Sequence, residues 1–190
     1  PQLVRQGFKG PIYCTPGTLD LCSVMLTDSA HIQENDVSYL NKKRARNGQP
    51  PIEPLYDEED VKKAMKQFVG IPLNQWTEID SHIRLMFTDA GHILGSAAVN
   101  LQLDEPEGPR TLFFSGDTGR YDDIILRSPQ PFPQAEYIIT ESTYGDRLHE
   151  VRQDAEKHLQ RIVADTCVTR KGKLIIPAFS LGRTQEVVYS

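Results

Sequence analysis

Short apolar runs recur through the middle of the chain and are typical of β-strands. Four short apolar runs are bounded by turn-forming residues and predict successive strands at positions 83–88, 97–103, 111–115 and 137–140. The sequence EPEGP at positions 105–109 separates the second run from the third and predicts a hairpin turn. The middle of the chain is therefore expected to form a sheet that is built from hairpins.

The first third of the chain predicts one short strand and two helices. Residues 11–15 form an apolar run after a Gly-Pro pair, which predicts a strand. Residues 18–30 carry apolar side chains at helical spacing, with Thr18 as the expected N-cap. The polar segment 35–54 is expected to be an exposed loop. Residues 57–70 predict a second helix, because acids fill its first turn and a Gly-Ile-Pro sequence ends it.

The last third of the chain alternates between helix and strand. Residues 152–168 predict a long helix with periodic apolar positions, residues 173–177 predict a buried strand, and Thr184 begins another helix. Strand hairpins followed by such alternation predict a mixed α/β sandwich. The chain starts without a methionine and stops inside a predicted helix, so we expect it to be a truncated fragment of a longer polypeptide.

Composition narrows the classes of partner. The chain has 190 residues, and its formal charge is 21 − 26 = −5. A protein that held nucleic acid by overall charge would be basic, so any such contact must be local. The basic run KKRAR at positions 42–46 is compatible with a solvated loop and with a nucleic-acid contact. No run of 18 apolar residues occurs, so no membrane partner is expected.

Cysteine usage indicates a reducing compartment. The three cysteines, Cys14, Cys22 and Cys167, have neither an even number nor CxxC spacing, which argues against a disulfide framework and a structural zinc site. They are expected to be reduced, buried thiols in a cytoplasmic protein.

Three side chains that can carry chemistry follow predicted strands in glycine-rich loops. They are His92 in TDAGHILGSA, Asp117 in FFSGDTGR and Glu141 in IITESTYGDR. Loops at strand ends are where rigid scaffolds present catalytic groups, and glycine lets the backbone approach a ligand or metal closely. Each motif taken singly is also compatible with an ordinary turn, such as an Asx-turn at Asp117. Their succession predicts that the three loops line one rim of the sheet.

Four sequence blocks together resemble a known family. AGHILGSA, FSGDTGR, ESTYGDR and LIIPAFSLGRTQE occur in the order found in RNA-processing enzymes of the metallo-β-lactamase superfamily, in the branch with an inserted β-CASP domain. The resemblance implies an α/β fold: part of an αββα sandwich in residues 1–150 and the beginning of a β-CASP domain in residues 151–190. It also implies a zinc-dependent phosphodiesterase that cleaves RNA by attack of a metal-activated hydroxide on phosphorus.

The resemblance assigns roles to the three candidate residues. His92 corresponds to one of the zinc ligands, and Asp117 to the carboxylate that bridges two Zn²⁺ ions. Glu141 corresponds to the first β-CASP motif, where it orients a later histidine that acts as general acid. Imidazole and carboxylate are suitable zinc ligands, and a shared carboxylate suits a pair of ions roughly 3.5–4 Å apart.

The sequence departs from the family in one large respect. The family's HxHxDH loop is absent, and the five histidines, at 31, 82, 92, 149 and 158, include no HxH pair. Truncation is the expected cause, and the late metal histidine and the general-acid histidine are likewise expected beyond Ser190. The fragment alone is therefore expected to be inactive.

Further residues are candidates for contact with substrate. Arg183 lies at a predicted helix start, where it could meet a phosphate or pair with Glu186. Tyr144 and His149 follow Glu141 in the same loop and are candidate RNA contacts; His149 is equally compatible with a polar turn. DNA is not excluded as a substrate, the choice between endonuclease and exonuclease stays open, and a homodimer is one assembly that the sequence allows.

Two other functions compete with a nuclease. One is a catalytically inactive relative that acts as a scaffold or RNA-binding subunit; the presence of His92, Asp117 and Glu141 argues against it. The other is a different hydrolase of the same fold. The blocks ESTYGDR and PAFSLGRTQE argue against it, because they resemble the β-CASP insertion that those hydrolases lack.

Overall fold

The N-terminal part of the structure combines three helices with a small parallel sheet. The computed structural model describes residues 1–121, 123–147 and 154–189. The elements in chain order are α1 (Gln2–Arg5), β1 (Ile12–Cys14), α2 (Pro16–Arg46), α3 (Glu58–Met65) and β2 (Phe68–Gly70). Strands β1 and β2 pair in parallel, and the long helix α2 lies between them in sequence.

A five-stranded sheet forms the centre of the structure. Its strands, in chain order and in spatial order, are β3 (Thr77–Glu78), β4 (Ile83–Asp89), β5 (Ala97–Glu105), β6 (Gly108–Phe114) and β7 (Tyr137–Ile139). The first four strands pair antiparallel, whereas β7 joins β6 in parallel. The strands predicted from the apolar runs and the predicted hairpin turn are thus confirmed. Strands β4, β6 and β7 all run in the same direction.

The core lies on the sheet face that carries the odd-numbered residues of β4. Leu85 and Phe87 are buried there with Ile71, which follows β2. The opposite face is also covered, since Met86, Asn100 and Phe113 are buried. A sheet whose two faces are both buried requires layers on each side, so its strands read as continuous apolar runs rather than as strict alternation.

Two helices and a π-helical turn complete the chain. They are α4 (Ala155–Val163), a π-helical segment (Ala164–Thr169) and α5 (Arg183–Tyr189). Helices together with a mixed sheet confirm the predicted α/β class, and the arrangement is consistent with a metallo-β-lactamase-like fold. The expected domain boundary between residues 150 and 151 falls outside the described residues and stays a prediction. None of the described helices is long and apolar enough to cross a membrane.

The prediction for segment 35–54 was wrong over its first half. Helix α2 continues to Arg46, and its N-cap is Thr15, whose hydroxyl accepts a hydrogen bond from the Thr18 backbone N–H at 3.1 Å. This extension contains few apolar residues, and polar side chains attach it to the segment that follows. The Asn41 side chain donates to the Ile52 carbonyl and accepts from the Ile52 N–H, each at 2.9 Å.

The prediction for residues 57–70 was correct only for the first eight or so positions. Asp57 and Asp60 form a capping box that starts α3, as the acidic first turn suggested. The helix ends at Met65, and residues 68–70 form β2 instead. The partner of β2 is β1, which lies more than 50 residues earlier, so no local pattern indicates the pairing.

The C-terminal predictions also needed correction. Residues 173–177 do not form a strand, and Ile175 is 86% exposed, because no described strand pairs with this segment. The first two positions of the predicted helix 152–168 lie outside the described residues. From Ala155 onwards the chain forms α4 followed by the π-helical segment, and neither has a buried residue. All three cysteines are free, as expected, but only Cys14 is buried; Cys167 is exposed. Burial raises the pKa of the Cys14 thiol.

Candidate functional site

The three principal candidate residues lie at one edge of the central sheet. Strands β4, β6 and β7 point the same way, so their carboxyl ends meet at this edge. His92 follows β4, Asp117 follows β6 and Glu141 follows β7. The carboxyl ends of parallel strands are a common location for ligand sites in α/β proteins. The topology therefore brings together three loops that lie about 25 residues apart in sequence.

His92 and Asp117 are neighbours in space. The His92 Nε2 atom lies 3.8 Å from Asp117 Oδ2, and both side chains are accessible, with exposed fractions of 44% and 74%. Ser96 fixes the first loop, because its hydroxyl accepts hydrogen bonds from the backbone N–H groups of His92 and Ile93 at 3.0 and 3.2 Å. The two side chains can therefore act on the same ligand or ion.

Glu141 connects its own loop to the Asp117 loop. Its Oε1 atom accepts a hydrogen bond of 2.7 Å from the Thr118 backbone N–H. That bond is the largest cause of a lowered pKa of the Glu141 carboxyl; the Thr143 side chain and the charge of His92 add to the effect. The Glu141 backbone N–H donates to the Ser115 hydroxyl at 3.2 Å. Glu141 therefore positions the loop that carries Asp117.

The His92 and Asp117 loops are also joined through their backbones. The Gly119 N–H donates to the Ala90 carbonyl at 2.8 Å. No side chain would fit at Gly119, because a Cβ atom there would overlap the carbonyl group of Gly91 and lie 2.7 Å from the His92 nitrogen. Gly91 itself has a φ of +63°, the left-handed region that glycine favours. Close backbone packing thus sets the distance between His92 and Asp117.

The three loops form one wall of a cleft of about 670 Å³. Tyr144 and Arg183 line the same cleft. The Arg147 guanidinium lies 5.4 Å from the centre of the Tyr144 ring, a cation–π distance. Arg183 pairs with Glu186 at 2.8 Å, which is the structural alternative that the sequence left open. Of the predicted site residues, only His149 is not placed, because it lies outside the described residues.

Several residues of the site carry no distinct sequence signal. Ser115 is buried and fastens Glu141, yet in the sequence it reads as part of a strand. Arg120 and Asp123 line the cleft within six residues of Asp117. Backbone N–H groups of Leu126 and Ile125 lower the pKa of the Asp123 carboxyl, with a smaller contribution from the charges of Arg120 and Arg183. Their nearness to Asp117 in sequence is the one signal that could have indicated them.

The donors for a metal ion are of the right type but too few. His92 and Asp117 supply an imidazole and a carboxylate within reach of one ion. Catalytic zinc sites take at least three protein ligands, and no group of three or more His, Cys, Asp or Glu in residues 1–121, 123–147 and 154–189 could hold a metal. These residues do not by themselves make a zinc site, and one would need donors from elsewhere.

The chain is similar over its length to curated proteins from archaea and bacteria. It is 35% identical to "Transcription termination factor FttA" of Methanosarcina mazei and covers 27% of that protein. It is 32% identical to "Ribonuclease TTHA0252" of Thermus thermophilus, of which it covers 38%. At least 95% of the chain is matched in these and related proteins. The chain spans about a quarter to two fifths of the length of those proteins. No family model matches the chain.

Proposed function

We propose that the chain is part of an RNA-cleaving phosphodiesterase of the metallo-β-lactamase superfamily, in its β-CASP branch. The observation that carries the proposal is the convergence of His92, Asp117 and Glu141 at the carboxyl ends of β4, β6 and β7. The resemblance of the four sequence blocks and the similarity to a protein named as a ribonuclease support it.

In this proposal His92 and Asp117 are two ligands of a pair of zinc ions, and the remaining ligands come from outside the described residues. When bound at such a site, zinc would supply Lewis-acid chemistry to the phosphate and to a water nucleophile. The resemblance of the sequence blocks implies the carboxylate role for Asp117, and its accessible side chain beside His92 would let both residues hold the same ion. The negative charge of this carboxylate would offset part of the charge of two such ions.

The remaining residues of the cleft position the substrate and the ligands. Glu141 holds the Asp117 loop through the Thr118 N–H, and we propose that it also orients a general-acid histidine supplied from outside the described residues. Arg183 offers a guanidinium that a phosphate can share with Glu186. Tyr144, 53% exposed, offers a ring on which a base can stack.

Cleavage of labelled RNA tests the proposal. The protein that contains this chain is incubated with zinc and a 5′-labelled 20-nucleotide RNA or DNA of the same sequence, as wild type and as Asp117→Ala. We expect RNA to be cut by the wild type and not by Asp117→Ala. Asp104→Ala serves as the matched control, because Asp104 is an exposed carboxylate at the hairpin end of β5, away from the site.

Three outcomes would contradict parts of the proposal. Wild type that binds RNA but never cuts it, with zinc supplied, would favour the scaffold function. Asp117→Ala that cuts as fast as wild type would show that the site lies elsewhere. Equal cleavage of DNA and RNA would contradict RNA as the preferred substrate.

A further inference from the structure

The C-terminal end of α2 has two faces with different surroundings. One face is covered by the return segment 47–56, which runs back along the helix. Asn41 makes two hydrogen bonds to the Ile52 backbone, and Arg44 Nε donates to the Pro50 carbonyl at 2.7 Å. Tyr56 reaches further back and donates its hydroxyl hydrogen to Ser29 at 2.8 Å. The return segment is thus attached to this side of the helix by four side-chain hydrogen bonds.

The opposite face carries an exposed basic stripe. We use this name for Tyr39, Lys42, Lys43 and Arg46, which follow the spacing i, i+3, i+4, i+7 and so share one side of a helix. Successive residues of an α-helix are turned by about 100° around its axis, so the centre of these four positions lies roughly 150° around the axis from Asn41. All four residues are exposed, and Tyr39 is 72% accessible. The covered and the basic faces therefore lie back to back.

The three cations of the basic stripe are available for a ligand. Within the described part of the chain, none of Lys42, Lys43 and Arg46 forms an ion pair or a side-chain hydrogen bond. Cations in the last turn of a helix interact favourably with its dipole, which explains one or two of them. In contrast, Lys62 and Lys63 on α3 both pair with acids of their own helix. An unpaired cluster in a chain of net charge −5 points to an anionic partner.

Tyr39 indicates which anionic partner fits. Proteins that bind single-stranded nucleic acid combine cations along the backbone with aromatic rings on which bases stack. An exposed tyrosine one turn before the cations on the same face offers this combination. Exposed apolar side chains also occur on this side of α2, at Val24, Met25 and Ile32. The exposed acids Asp28 and Asp36 interrupt them and separate them from the cations, which disfavours contact with an anionic membrane along the helix.

We propose that the basic stripe binds the sugar–phosphate backbone and a base of a single-stranded RNA, remote from the cleft. This inference rests on the proposed function, since the RNA is the substrate. Helix α2 starts beside the His92 loop, where Gly17 packs against Gly95. Tyr39 lies 22 residues further on, about 33 Å along the helix. At about 3.4 Å per stacked nucleotide, an RNA of roughly 10 nucleotides or more reaches from one site to the other.

Equilibrium binding tests the basic stripe. The protein that contains this chain is prepared with Asp117→Ala, so that RNA is not consumed, and binding of a fluorescein-labelled 20-nucleotide RNA is followed by anisotropy over a range of salt. We expect K42Q/K43Q/R46Q to weaken binding about tenfold or more at low salt. The slope of log affinity against log salt should fall by about 2, since each phosphate contact on a single strand contributes about 0.7.

Matched variants separate a local contact from overall charge. K62Q/K63Q/K66Q also removes three positive charges, but from α3 and the residue after it. We expect this variant to leave the affinity and the salt slope nearly unchanged. K42R/K43R keeps the charges and should bind like the parent protein. Tyr39→Ala should weaken binding about fivefold or more, whereas Tyr39→Phe keeps the ring and should change it little.

The results that would overturn the inference differ from those that would overturn the proposed function. If wild type cuts RNA but K42Q/K43Q/R46Q binds with an unchanged affinity and salt slope, the basic stripe does not bind RNA. An equal loss in K62Q/K63Q/K66Q would also refute a local contact. Loss of binding to phosphatidylserine vesicles with intact RNA binding would assign the stripe to a membrane instead. If wild type does not cut RNA, the proposed function fails, whatever the stripe does.

Discussion

Gly119→Ala is the substitution that most directly tests how the site is assembled. The φ of Gly119 lies outside the left-handed region, so an alanine there meets no strain of that kind. The obstacle is space, because the new Cβ would overlap the Gly91 carbonyl group. Relief of the contact with the His92 nitrogen alone, from 2.7 Å to the 3.4 Å of ordinary contact, needs about 0.7 Å, and the overlap with Gly91 needs more.

Two effects on stability follow from this separation. Overpacking of a tight contact typically costs 1–3 kcal/mol, and loss of the Gly119–Ala90 hydrogen bond adds about 0.5–1.5 kcal/mol. We therefore expect Gly119→Ala to lower the free energy of unfolding by about 2–4 kcal/mol.

The same separation moves His92 away from Asp117. Their side-chain atoms lie 3.8 Å apart, so a displacement near 1 Å is a large fraction of the distance. A misplacement of that size can cost about 10² in rate. We expect Gly119→Ala to lower single-turnover RNA cleavage by about that factor, even in the folded population at low temperature.

Urea unfolding and single-turnover cleavage, measured on the protein that contains this chain, test both effects. Gly70→Ala is the matched control. Its Cβ would lie 3.6 Å from the nearest atom, which is ordinary contact, and it should leave both measurements nearly unchanged. A Gly119→Ala protein as stable and as active as wild type would show that the loops separate at no cost, which would refute the reasoning.

Two further predictions concern the frame of the site. The Asp57 carboxylate accepts the N–H of Asp60, which holds the pKa of that carboxyl below its usual range. Its stabilising effect is therefore complete above about pH 4 and is lost as the pH falls through the lowered pKa. Asp57→Asn should therefore lose less stability than wild type between pH 5 and about pH 2 in urea unfolding, and an identical pH profile would contradict this. Asn41→Ala removes both hydrogen bonds to Ile52 and should increase hydrogen exchange and proteolysis in segment 47–56, at a cost of about 1–2 kcal/mol; unchanged protection would show that other contacts hold the segment.

The strands were the part of the fold that the sequence predicted well. Runs such as 83–88 and 97–103 match β4 and β5 to within two residues, because their neighbours in the sheet are also their neighbours in sequence. The pairing of β2 with β1 could not be predicted in this way. Apolar content alone misled at 173–177, since a strand also needs a partner and no described strand provides one.

The extension of α2 to Arg46 could not be predicted from apolar periodicity. Its residues are mostly polar and show no apolar periodicity. Asn41 and Arg44 instead bind the backbone of the return segment through hydrogen bonds. At the site, the sequence predicted that the loops of His92 and Asp117 share a rim. The bond from Thr118 to Glu141 and the packing of Gly119 depend on distances between loops, which a sequence does not contain.

Zinc content tests the central claim most directly, namely that His92 and Asp117 lie at a metal centre. The protein that contains this chain is purified as wild type, Asp117→Ala and Glu141→Gln, and zinc per chain is measured by atomic absorption. We expect two zinc ions in wild type, the loss of at least one in Asp117→Ala, and both retained in Glu141→Gln, whose amide oxygen can still accept the Thr118 N–H. An Asp117→Ala protein with the zinc content of wild type would contradict the account.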